Sequence, residues 1–125
     1  MIMKETIVKV SDNSGAKYAC CIGLYNNRTR AQIGDVILVS IKIMYKNLKG
    51  NINISAGKVC KAIVIRTRKS INRGLHYYKF TENAVILVDN QMNPIGNRIF
   101  GATIRMDNYR QMYHKKTINI TEKAF

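Results

Sequence analysis

Apolar positions in this chain fall in short, β-branched runs separated by turn residues, a pattern that predicts strands rather than helices. TIVKV, residues 6–10, is the first strand candidate and opens the series. It is closed by SDNSG, where Asp12, Asn13, Ser14 and Gly15 suit a tight turn. A second run covers residues 18–24, and the polar stretch NNRTRAQIGD then leads through Gly34-Asp35 into VILVSIKIMY. That run starts as a continuous apolar block and shifts into alternation, with Ser40 and Lys42 opposite Ile41 and Ile43, so its first half is expected to be buried on both faces and its second on one.

Residues 46–58, rich in Lys, Asn and Gly, read as a loop or a projecting ribbon. VCKAIVIRTRK is the clearest strand, with Ala62 to Ile65 in the core and the basic cluster Arg66, Arg68 and Lys69 at its exit. INRG turns the chain into LHYYKF, and NAVILVD is a second wholly apolar strand, which predicts a hairpin from Lys61 to Val88 with Arg73-Gly74 near its tip. The C-terminal third changes character: Met106, Tyr109 and Met112 recur at helical spacing, and TINI resembles a last short strand. The fold class predicted is mainly β, a small closed β-barrel with a projecting ribbon or hairpin and short C-terminal helical turns. Closure removes exposed strand edges.

A length of 125 residues with 46% hydrophobic residues suits a single domain, residues 1–125, with 103–125 a less typical extension. Charge narrows the function classes. Twenty-one Lys and Arg against seven Asp and Glu leave +14, a self-repulsion that a polyanion relieves. Nucleic acid is the leading partner; no apolar run reaches the roughly 18 residues of a membrane span. The strand-like TIVKV begins within five residues of Met1, so no targeting leader is expected. Cys20, Cys21 and Cys60 lack zinc-ligand spacing and read as small apolar groups in a reducing compartment.

No catalytic constellation assembles. His76 and His114 have no partner at a useful spacing, and the acidic residues stand singly. Ser14 lacks the G-x-S-x-G frame, and Gly96 to Gly101 lacks the Lys-Ser or Lys-Thr ending of a phosphate loop. No cofactor, metal or enzymatic activity is expected. The cations instead sit at strand exits and loops: Lys17; Arg28 and Arg30; Lys46 and Lys49; Arg66, Arg68, Lys69 and Arg73; Arg105, Arg110, Lys115 and Lys116. Loops on a rigid barrel can present such groups on one face, where each phosphate neutralised releases a counterion. Tyr77, Tyr78, Tyr109 and Tyr113 lie among them and could stack on unpaired bases, although Tyr77 and Tyr78, being adjacent on a strand, cannot both face outward.

Five blocks, DNSGA, GD with the apolar strand that follows, GKVCKAIVIRTRK, FTENAVILVDN and PIGNRIFGA, occur in order over roughly the first hundred residues. Together they resemble the universal large-subunit ribosomal protein number fourteen family. The resemblance implies a structural constituent of the large subunit that binds large-subunit ribosomal RNA, touches ribosomal proteins number three and number nineteen, and helps bridge to small-subunit ribosomal RNA. It also implies that the loop carrying Asn97 and Arg98 lies at the subunit interface and receives a ribosome silencing factor in bacterial relatives; Asn97 stands where the family usually has Thr. In PIGNRIFGA, Pro94 fixes one backbone angle and Gly96 and Gly101 permit tight turns, so that Ile95, Ile99 and Phe100 are expected to anchor the loop while Arg98 points outward. The hairpin tip is Arg73-Gly74 where the family usually has Asp-Gly, and the resemblance loosens after Arg105. That divergence and a composition biased to Ile, Asn, Lys and Tyr point to a mitochondrial ribosome in the matrix, with a bacterial cytoplasm second. Two other classes compete: a free barrel-type translation or transcription factor, and an RNA-modifying enzyme.

Overall fold

The computed structural model describes residues 1–25, 27–45, 54–104 and 121–124. Five strands close a barrel: β1 (Ile7–Val10), β2 (Ala16–Leu24), β3 (Val36–Met44), β4 (Val59–Arg66) and β7 (Ala84–Val88), in the order β1-β2-β3-β4-β7. Neighbours run antiparallel except at the closure, where β1 pairs with β7 in parallel, Lys9 opposite Ala84. Between β4 and β7 the chain forms a separate hairpin, β5 (Ile71–Arg73) and β6 (His76–Tyr78), and β8 (Ile99–Thr103) pairs in parallel with β9 (Thr121–Ala124).

Alternation explains how the barrel fills. Val8, Val10, Ala19, Cys21, Ile37, Val39, Ile41, Ala62, Val64, Val85 and Leu87 point inward from all five strands and form one core. β4 and β7 bury their other face too: Ile63, Ile65, Ala84, Ile86 and Val88 pack with Ile99 of β8 outside the barrel. A strand covered on both sides needs an unbroken apolar run, which is why AIVI and AVILV lack alternation. Burial raises the thiol pKa of Cys21 and Cys60, and all three cysteines are free.

The hairpin predicted from Lys61 to Val88 is present with those two residues paired, and Arg73 and His76 flank its two-residue tip. Tyr77 is 73% exposed and Tyr78 half-buried, as adjacent strand positions require. β3 departs from expectation. Its first half alternates rather than burying both faces, and Ile43 is 51% exposed although Ile41 is buried. The pairing with β2 shifts beside Tyr18 and Ile43, and a bulge of this kind moves the following side chain to the other face. Residues 46–53, and the C-terminal turns and TINI strand expected within 105–120, lie outside the described residues; the strand seen there is β9, just beyond TINI. No helix among the described residues is long and apolar enough to cross a membrane.

Candidate nucleic-acid interface

Two turns far apart in sequence build the PIGNRIFGA loop. Asp12, 3% exposed, accepts the Leu87 amide at 3.0 Å on Oδ2 and the Ser14 amide at 3.1 Å on Oδ1, which also takes the Ser14 hydroxyl. The 12–15 turn is thereby fastened to β7. Burial raises the pKa of Asp12, and the bonds from Ser14 and Leu87 pull it partly back.

Next to this anchor, Asn13 Oδ1 accepts the amides of Asn97 at 3.0 Å and Arg98 at 3.4 Å, and Asn13 Nδ2 donates to Asn97 Oδ1. Gly96 is needed for the approach, because a Cβ there would lie 2.5 Å from Asn13 Oδ1. Pro94 bridges to Val88, the Ile95 amide reaches the Leu87 carbonyl at 3.1 Å, and the Phe100 amide reaches the Ser11 carbonyl at 2.7 Å. Ile99 is fully buried and Ile95 half-buried, so both anchor the loop as expected. Phe100 does not. Its ring is 43% exposed, and the Arg98 guanidinium lies 5.4 Å from its centroid. Phe100 flanks Gly101 on an extended stretch whose alternate residue, Ile99, already takes the core side, so its ring must face out.

Strand polarity sorts those of the expected RNA-binding residues that are described between the two ends of the barrel rather than onto one face. Lys17 follows the 12–15 turn at the Asn97 and Arg98 end, its Nζ 5.7 Å from the Tyr18 ring and 5.8 Å from the Tyr45 ring. Arg28, Arg30, Arg68 and Lys69 gather at the opposite end, where β2 and β4 finish and β3 and β7 begin. There Arg28 donates to both oxygens of Asp35 at 3.2 Å, and Asp35 also accepts the Gln32 amide at 2.8 Å. Lys69 lines a shallow depression with Gln32 and Met1, and burial together with Lys69 lowers the pKa of the Met1 amine. Arg68 is braced, its amide donating to Asn83 Oδ1 at 2.9 Å and its Nε to the Thr81 carbonyl at 3.1 Å. Arg73 lies in β5 beside the hairpin tip. Lys46, Lys49, Arg105, Arg110, Lys115 and Lys116 are outside the described residues.

Arg66 corrects the sequence-based expectation. Its side chain is 7% exposed, and both terminal nitrogens of its guanidinium bond inside the protein. Nη1 donates to the carbonyls of Phe100 at 3.0 Å and Ala102 at 3.1 Å; Nη2 donates to Ser11 Oγ and to Glu82 Oε1 at 3.1 Å. Burial lowers its pKa and Glu82 opposes that shift. β8 packs over the end of β4, and the last residue of that strand turns to satisfy β8 carbonyls instead of reaching solvent. The clamp that Asp12 and Asn13 make on β7 and on the Asn97 loop was not foreseen. Only DNSG carried a signal, and it marked a turn rather than a clamp.

No three His, Cys, Asp or Glu side chains among the described residues gather as metal ligands would. Comparison with known proteins adds to this geometry. Residues 1–125 match the family described as ribosomal protein L14p/L23e. The chain is 40% identical over 110 residues to the large ribosomal subunit protein uL14m of Acanthamoeba polyphaga, covering 84% of this chain and 95% of that relative. A closed five-strand barrel with cationic ends, matched along its whole length, belongs to the ribosomal protein L14p/L23e family and is a structural constituent of the large ribosomal subunit.

Proposed function

We propose that this chain docks on large-subunit ribosomal RNA through its two cationic ends and works at the subunit interface of a mitochondrial ribosome. Arg30, Arg68 and Lys69 supply phosphate contacts at one end, with Arg28 contributing less because Asp35 already pairs with it. Lys17 serves the other end. Arg73 and the cations outside the described residues, Lys46, Lys49, Arg105, Arg110, Lys115 and Lys116, extend these surfaces. The observation that carries the reading is the clamp of Asn13 on Asn97 and Arg98, which holds a charged side chain at the tip of a rigid loop. A group held in place before docking loses less entropy on binding than a mobile one.

In this reading Arg98 faces small-subunit ribosomal RNA across the interface, and ribosomal proteins number three and number nineteen are its protein neighbours in the large subunit. A silencing factor at this loop would meet Arg98 rather than Asn97, whose amide and side-chain oxygen are engaged by Asn13. The work is binding, with no catalytic step assigned to any residue. The likeness to uL14m and the bias toward Ile, Asn, Lys and Tyr support the mitochondrial matrix over a bacterial cytoplasm.

The test is replacement of Arg98 by Ala in the intact chain, followed by sedimentation of ribosomes. Normal incorporation into large subunits with impaired subunit joining is expected. Unchanged joining removes the interface role, and a wild-type chain that washes off large subunits at moderate salt removes the docking itself.

A further inference from the structure

Beside β8 lies a groove of about 440 Å³ whose walls include the rings of Tyr45, Phe80 and Phe100 and whose floor includes Arg66. That volume falls at the lower end of what small-ligand clefts enclose. Tyr45 is 41% and Phe100 43% exposed, high values for rings on a barrel with a well-filled core. Each of these two rings also carries a cation: Lys17 lies 5.8 Å from the Tyr45 centroid and Arg98 lies 5.4 Å from that of Phe100. Lys9 stands at the rim, 42% exposed.

The acids in the groove are already engaged. Asp12 is taken by Ser14 and Leu87, and Glu82 accepts from Arg66 at 3.1 Å and from Lys9 at 3.5 Å. A ligand therefore meets aromatic faces flanked by positive charge, with Glu82 paired to Arg66 and Lys9 and Asp12 held by hydrogen bonds. Flat rings with cations beside them suit one kind of ligand in particular, a planar base joined to a phosphate. A regular duplex keeps its bases stacked inside, so an unpaired base is the form that can enter.

We propose that the groove between Tyr45, Phe80 and Phe100 is a single-nucleotide site that takes one unpaired base of ribosomal RNA, with Lys17, Lys9 and Arg98 beside the flanking phosphates. This rests on the RNA-docking reading above and adds a site to it. The base lies against the Phe100 ring, and the guanidinium of Arg98 links that stack to the backbone charge. Arg66 has a positioning role here: its bonds to the Phe100 and Ala102 carbonyls set the backbone that carries the ring.

The experiment uses the full chain and two RNAs of equal length, a hairpin with one unpaired 2-aminopurine in its loop and a fully paired duplex. Wild-type protein is expected to change the 2-aminopurine fluorescence on binding. Phe100→Ala should weaken the hairpin by about five- to tenfold and abolish that change, leaving the duplex within about twofold. Phe100→Tyr, which keeps a ring, should restore both, and the retained duplex binding of the Ala variant tells loss of the site apart from a folding defect. Equal effects on hairpin and duplex, or a 2-aminopurine signal that ignores the protein while the duplex still binds, would overturn the nucleotide site. Failure of the wild-type chain to bind either RNA at low salt would overturn the docking reading as well.

Discussion

Asn13 and Asn97, 84 positions apart, hold each other from both directions: the Asn97 amide donates to Asn13 Oδ1 at 3.0 Å while Asn13 Nδ2 donates to Asn97 Oδ1. The side chain of one turn thus stands in for a strand partner of the other, and the loop keeps its shape without regular pairing. Asn13 is itself exposed, so the clamp is separable from the core.

Removing the clamp should therefore loosen the loop and leave the barrel intact. Asn13→Ala is expected to cost about 1 kcal/mol of stability and to speed hydrogen exchange at the Asn97 and Arg98 amides, with β4 and β7 still protected. Asn13→Asp keeps the accepting oxygen and should retain most of that protection. Equal protection of the two amides in wild type and Asn13→Ala would show that the clamp does not order the loop.

Asp12 makes the stability depend on pH in a direction opposite to that of a salt-bridged carboxylate. Its pKa is raised on folding, so the folded state binds the proton more tightly than the unfolded one. The contribution of Asp12 is most favourable below the ordinary value of 3.8 and is lost as pH rises through its own elevated pKa. Asp12→Asn should abolish this fall, and it should also cost about 1 kcal/mol near neutrality because one acceptor for Ser14 or Leu87 becomes a donor. Urea unfolding across the acid range checks both effects. Identical pH slopes in the two proteins would refute the assignment.

Much of the barrel was legible because its cause is local. NAVILVD and AIVI lack polar positions, and only burial on two faces accounts for that; SDNSG and the Arg73-Gly74 tip carry turn chemistry that acts within a few residues. The site was less legible because its causes are remote. Nothing near Arg66 distinguishes it from Arg68, since both follow an apolar run, and its burial is decided by β8 arriving 34 positions later. The Asn13 clamp and the aromatic groove arise in the same way, from segments that meet only after the barrel closes. Ile43 was misjudged for a smaller reason, a bulge opposite it that no periodicity shows.

Arg66 and Gly101 form the tightest joint of β8. A Cβ on Gly101 would lie 2.5 Å from Arg66 Nη1, and φ there is 82°, a region L residues rarely adopt. Arg66→Lys should destabilise the protein by about 2–4 kcal/mol, because an ammonium cannot span both β8 carbonyls, Ser11 and Glu82. Gly101→Ala should also destabilise. The double variant should cost less than the sum, since the lysine removes the guanidinium that the new methyl strikes. Strict additivity in denaturant melts would mean that the two residues do not share this joint.

Salt dependence separates the structural arginine from the cations assigned to RNA. Taking one cation away from a phosphate should lower the slope of log K against log salt by about one. Arg68→Gln and Lys69→Gln together should therefore reduce the slope by about two, with the fold unaffected, since both residues are exposed. Arg28→Gln should change it less, because Asp35 neutralises part of that charge at 3.2 Å. Arg66→Lys should leave the slope unchanged in whatever fraction remains folded. Titrations of large-subunit RNA at several salt concentrations read all three. A slope that falls with Arg66→Lys and ignores Arg68 and Lys69 would reverse the assignment, since it would place the buried guanidinium on the RNA and the exposed pair away from it.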